Sequence, residues 1–251
     1  MSRTILTFLL FWIGIGSLHA SMTISGTRIV FPASEKEVNV RTMNKGDLPS
    51  LVQVWVDDGR PNEDVNNVKV PFIVTPPVYR VEPKRGQSVR MIFNGMPLPQ
   101  DQESVFWFNM LEIPPRNASN EGGQKLELAF RTRIKIFYRP VSLEKSNSEL
   151  ESGKLNWKIV RDTRRGIGIE VDNATPYYFS FDGASVVTRR GNVSLAVDMV
   201  APKSKRVFYP EKKLDMQEKI SELKFRFLND YGAPVNISMI TGEGDRFIQR
   251  P

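Results

Sequence analysis

Hydrophobic and polar residues alternate with a period of two along most of this chain. Residues 38–40, 51–56, 88–93, 104–113, 125–138, 155–160, 166–171 and 223–228 are rich in Val, Ile, Phe and Tyr and read as strands. Between them stand residues that reverse a chain: Asn44-Lys-Gly46, Asp58-Gly59, Pro83-Lys-Arg-Gly86, Asn94-Gly95 and Asn229-Asp-Tyr-Gly232. No stretch carries the period of a long amphipathic helix. Short strands at regular spacing predict an all-β fold built from sandwiches. The pattern lapses after Pro140, where Val141-Ser-Leu-Glu-Lys-Ser-Asn-Ser148 has no period and is expected to act as a hinge or short linker. Two domains of ordinary size are therefore expected, over residues 21–140 and 141–251.

Residues 1–20 break the alternation. Arg3 precedes an apolar run from Ile5 to Leu18 that closes on Leu18-His-Ala20, the make-up of a secretory signal peptide cut within a residue or two of Ala20. The run falls short of the roughly 20 apolar residues that span a bilayer, and no later stretch approaches that length. Export without stable membrane insertion is expected.

Composition then narrows the chemistry. The only histidine is His19, inside the expected leader, and the chain has no cysteine. Ser-His-Asp and Cys-His catalysis, thiolate chemistry and metal or haem sites built on imidazole or sulfur are thereby excluded. No cofactor and no metal are expected, and two cores must hold without disulfides. The net charge of +7 falls to +6 when Arg3 leaves, a balance that attracts anions. The basic residues are spread along strands, and export separates the protein from nucleic acid, so no nucleic-acid partner is expected. The sequons at Asn117, Asn173, Asn192 and Asn236 keep a glycosylated cell-surface protein open as an alternative.

Residues 125–140 are the most informative. Leu126, Leu128, Phe130, Thr132, Ile134, Ile136 and Tyr138 form one mostly apolar face about 40 Å long, at about 3.4 Å per residue. Glu127, Arg131, Arg133 and Lys135 lie on the other face, wet or turned toward an anion. Ile134 to Tyr138 are expected in a core. The run exceeds the five or six residues common for a sandwich strand, which leaves its first half free for a partner. Strand addition needs such an edge: main-chain hydrogen bonds give affinity and alternate side chains fill pockets.

Several segments, in order, carry a resemblance. They are Gly26-Thr-Arg-Ile-Val-Phe31, Thr75-Pro-Pro77, Glu103-Ser-Val-Phe-Trp-Phe-Asn-Met-Leu-Glu-Ile-Pro-Pro115, Ile134-Lys-Ile-Phe-Tyr-Arg-Pro140, Asn173-Ala-Thr-Pro-Tyr177 and Leu228-Asn-Asp-Tyr-Gly232. The set resembles the periplasmic pilus chaperones of the chaperone–usher pathway. That resemblance implies two immunoglobulin-like β-sandwich domains with a cleft between them. It implies that Leu126, Leu128 and Phe130 donate side chains to a pilus subunit lacking its C-terminal strand, Phe130 being bulkier than the aliphatic residue usual there. It implies that Arg28 and Lys135 anchor the subunit's C-terminal carboxylate. It also implies that Glu103, Arg139 and Asp230 form a charge network between the domains, and that an outer-membrane usher receives the subunit. Lys135 has the opposite strand parity to the donor residues, so a bulge or turn of the strand is expected between them. The short connection from Pro114 to Gln124 resembles the subgroup that serves rod-like pili.

Two other readings stay open on residues alone. A secreted immunoglobulin-like binding module, an adhesin or glycan binder, would need an exposed aromatic cluster, and Tyr177, Tyr178 and Phe179 are candidates. Pro176 and the strand pattern around them favour a core or edge role instead. A carboxylate-based hydrolase would need a paired acidic motif, and the 28 acidic residues are scattered.

Overall fold

The computed structural model describes residues 21–60, 69–113 and 128–249. Its first sandwich holds nine strands among the described residues: β1 (Met22–Ile24), β2 (Arg28–Pro32), β3 (Glu37–Asn44), β4 (Ser50–Asp57), β5 (Phe72–Thr75), β6 (Val78–Val81), β7 (Gly86–Phe93), β8 (Ser104–Ile113) and β9 (Phe130–Arg139). They form a sheet in the order β1-β3-β7-β5 and a second in the order β2-β9-β8-β4-β6. The period of two explains the packing. In β4, Ser50, Val52, Val54 and Val56 point inward while Leu51 and Gln53 stay exposed. Phe31, Val52, Val89, Met91, Phe108 and Ile136 fill the space between the sheets.

The second sandwich contains β10 (Leu155–Asp162), β11 (Gly166–Asn173), β12 (Phe179–Thr188), β13 (Gly191–Ala196), β14 (Met199–Val200), β15 (Ser204–Pro210), β16 (Ile220–Leu228), β17 (Pro234–Thr241) and β18 (Phe247–Gln249). Its core gathers Trp157, Ile169, Phe179, Phe181, Phe208, Leu223 and Phe227. Trp157 packs on Phe225 with ring centroids 4.6 Å apart. Aromatic area of this kind holds a sandwich that has no disulfide.

The stretch without period is ordered locally. Residues 141–143 form a 3-10 turn, and α1 (Ser148–Glu151) follows, capped by the Asn147 side chain, which accepts from the Leu150 N–H at 3.0 Å.

One expected strand is shorter than its pattern. Regular pairing in β9 starts at Phe130, although the alternation begins at residue 125; Leu128 and Ala129 carry no strand structure, and Leu126 lies outside the described residues. Among the described residues the last pairing of β8 with β9 is Glu112 opposite Phe130. Beyond that point the alternating segment has no partner strand among the described residues.

Candidate functional site

β9 is the hinge of the site. It runs parallel to β2 on one side and antiparallel to β8 on the other, and both ladders are continuous. No bulge interrupts β9 between Phe130 and Lys135; the expected bulge or turn of the strand is not found there, and Leu126 lies outside the described residues. Parity poses no difficulty, because the two faces of β9 meet different surroundings. Ile134, Ile136 and Tyr138 enter the first core, whereas Phe137 and Arg139 are buried on the opposite face, where the second sandwich covers them. Lys135 belongs to that second set.

The parallel register sets Arg28 opposite Lys135. The Arg28 guanidinium donates from Nη1 to the Leu228 carbonyl at 2.8 Å and lies 5.6 Å from the centroid of the Phe137 ring. Its Nε is buried without a hydrogen-bond partner among the described residues. Lys135 Nζ reaches the Ser180 hydroxyl at 3.4 Å. Burial lowers the pKa of both groups, and for Lys135 the Arg28 charge lowers it further. Neither cation forms an ion pair among the described residues. Two desolvated cations side by side, one with a free N–H, make a receptor for an anion with two oxygens: Arg supplies a planar fork and Lys a point charge.

Behind this pair, Arg139 closes the joint between the sandwiches. Its guanidinium donates to Glu103 at 2.9 Å from Nε, and to both Asp230 oxygens at 2.6 and 2.9 Å. Glu103 is 3% exposed and its other oxygen accepts from the Tyr178 N–H at 2.8 Å. Burial raises the Glu103 pKa, against the pull of Arg139. Burial also works against charge on Arg139, but hydrogen bonds and charges from Asp230 and Glu103 outweigh it and raise its pKa. The structure thus brings Glu103, Arg139 and Asp230 together from three distant points of the chain. A close approach nearby requires glycine: Gly232 has φ +78°, and a Cβ there would fall 2.1 Å from Thr27 Oγ1 across the joint.

Leu128 and Phe130 are 44% and 40% exposed, an unusual state for two apolar residues so close in sequence. Arg131 and Arg133, read as wet or anion-facing, lie over the rings of Trp55 and Trp107 and share Asp57 as partner. The aromatic triplet serves the interior. Tyr177 and Phe179 are buried, and Tyr178 packs on Phe137 with centroids 5.8 Å apart. Sequence reasoning missed Ser180, and it placed Leu228 only as the first residue of a family-like segment and not as a partner of Arg28, since neither residue type signals a cleft.

This geometry accords with two family models that match the chain in tandem: the N-terminal domain of pili and flagellar-assembly chaperones of the PapD type over residues 21–144, and the C-terminal domain of PapD pili assembly chaperones over residues 151–238. The chain belongs to the pilus-assembly chaperone family. The chaperone is 41% identical over 221 residues to the chaperone protein HifB of Haemophilus influenzae, covering 86% of each chain. It is 40% identical over 219 residues to the probable fimbrial chaperone YadV of Escherichia coli K12, covering 86% of this chain and 88% of that one. The crystal structure of the YadV chaperone superposes with a TM-score of 0.73 at 38% identity, over 87% of this chain and 98% of that chain. The Pseudomonas aeruginosa CupB2 chaperone does so with a TM-score of 0.73 at 38% identity, over 88% and 100%. The family assembles pili and does not catalyse a reaction, which sets aside the hydrolase and adhesin readings. No helix among the described residues of the chaperone is long and apolar enough to cross a membrane.

Proposed function

We propose that this protein is a periplasmic chaperone that holds pilus subunits by donor-strand complementation and passes them to an outer-membrane usher. The observation that carries the reading is the pair Arg28 on β2 and Lys135 on β9, two half-buried cations set opposite each other with no ion pair among the described residues, together with the exposed Leu128 and Phe130 at the start of β9. The C-terminal carboxylate of a subunit supplies the missing anion. Its position fixes the register in which the subunit's open groove meets Leu126, Leu128 and Phe130. Each of these side chains, once covered, contributes about 1.5–3 kcal/mol. Covering the groove also removes a sheet edge that would otherwise aggregate. Arg139, with Glu103 and Asp230, holds the angle between the domains of residues 21–140 and 141–251 and does not touch the subunit. Residues 1–20 serve as the export leader and lie outside the described residues.

The test is capture from periplasm of a co-expressed pilus subunit by the wild-type, Arg28→Ala and Lys135→Ala chains, with folding checked by circular dichroism. Wild type retains the subunit and both variants lose it. Equal retention by all three would remove the anchor from the reading; no retention by any would remove the chaperone role.

A further inference from the structure

Glu112, near the end of β8, is only 6% exposed, and its hydrogen-bond partners among the described residues are neutral. Its Oε1 accepts from the Ser21 hydroxyl, and from the Ser50 hydroxyl at 3.0 Å. Its Oε2 accepts from the Met22 amide N–H at 3.0 Å. No Lys or Arg pairs with it among the described residues. A buried carboxylate is stabilised in part by hydrogen bonds, but a countercharge is what offsets the larger share of its desolvation.

The residue beside it is fixed to a degree unusual for the segment ahead of a first strand, where chains ordinarily fray. The Ser21 carbonyl accepts from the Lys45 N–H at 2.7 Å, and its hydroxyl also lies 3.1 Å from that of Ser50. Its Cβ sits so close over Gly46 that a side chain there would come within 2.5 Å. Hydrogen bonds on two sides and a close backbone on a third hold Ser21 with its hydroxyl on Glu112, and covalent geometry keeps its own nitrogen within about 4 Å of that hydroxyl, on the same side of the carboxylate as the Met22 N–H.

We propose that Glu112, with Ser50, forms a binding site for a primary ammonium group: the α-ammonium that removal of the leader after Ala20 creates on Ser21. The proposal rests on reading residues 1–20 as a cleaved leader. Water hydrolyses the Ala20–Ser21 amide, Ala20 leaves with the new carboxylate, and the amine left on Ser21 takes the proton, since its ordinary pKa is about 8. In the precursor Glu112 has neutral partners only. In the mature chain it gains its cation, so the first sandwich reaches full stability only after export and cleavage.

Intact mass of the chain purified from periplasm is the first arm: it is expected to begin at Ser21, and any other first residue overturns the proposal. The mature chain is then compared with one carrying two extra residues before Ser21, each with Glu112 and with Glu112→Gln. With Glu112 the extension lowers the urea midpoint of the first sandwich; with Gln the two chains unfold together. Equal midpoints in the Glu112 chains, or an undiminished gap in the Gln chains, overturn it. Acylation of the α-amine at pH 7 gives a readout that does not depend on stability. Glu112→Gln is expected to raise its rate about tenfold, because one pKa unit of ammonium stabilisation changes the free amine tenfold. An unchanged rate counts against the site. Subunit capture enters none of these arms, so the chaperone reading stands or falls separately.

Discussion

Arg28 and Lys135 face each other across the parallel ladder of β2 and β9, and neither has a carboxylate partner among the described residues. Two half-buried cations opposite each other raise the cost of charging one another, and the pull of Asp230, Asp182 and Glu103 on Arg28 and of Asp198 on Lys135 does not offset the burial, since both pKa values stay lowered. The arrangement disfavours the free protein and favours whatever brings negative charge to the cleft.

Loss of either cation is expected to weaken subunit binding by about 2–5 kcal/mol, the range for truncating one partner of a desolvated charge pair. Lys135→Met keeps the volume and removes the repulsion, so its unfolding midpoint is expected to equal or exceed that of wild type. Calorimetry of binding and urea titration of the free chain read the two effects separately.

Binding should depend on pH at the alkaline end. Burial and Arg28 hold the free Lys135 pKa below its ordinary 10.5, and a bound carboxylate raises it. Affinity therefore falls as pH rises through the lowered free-state value. Over the same window the free chain gains stability, since its folded state prefers the neutral amine. Lys135→Arg keeps its charge throughout, and its affinity is expected to stay level over that range.

Leu128→Ser and Phe130→Ser are expected to leave the fold intact, since both side chains are exposed in the free protein. Each should reduce subunit affinity by about 1.5–3 kcal/mol through the apolar burial lost. Unfolding midpoints lowered as much as affinity would show that the residues serve the chaperone's own core.

Arg139→Ala leaves Glu103 buried beside Tyr178 with no cation, and the expected cost is about 3–5 kcal/mol. The loss should fall on the coupling between the sandwiches. Differential scanning calorimetry is expected to show two separate transitions in place of one.

Gly232→Ala forces a Cβ against Thr27 and strains a left-handed backbone, for which about 1–2 kcal/mol is usual. Thr27→Ala in the same chain removes the clash and not the strain. Partial rescue of the unfolding midpoint by the double variant is the expected result.

The strands and the two sandwiches were legible in the residues because the period of two is local: each strand's own side chains state which face is dry. The turn glycines and asparagines are equally local, and they placed the breaks. Local pattern placed the start of β9 too early, since alternation includes Leu128 while strand pairing among the described residues begins at Phe130, and pairing depends on a neighbour that the residues of one strand do not specify. It also suggested a bulge before Lys135, because a strand read alone has one inside and one outside. In the folded chain both faces of β9 are partly covered, one by its own core and one by the second sandwich, so opposite parity is what the site requires. Meeting Glu103, Arg139 and Asp230 at one point, setting Ser180 under Lys135 and closing Ser21 over Glu112 were decided by tertiary structure alone. Those contacts join residues far apart in the chain, and no periodicity encodes which distant charge will be desolvated against which.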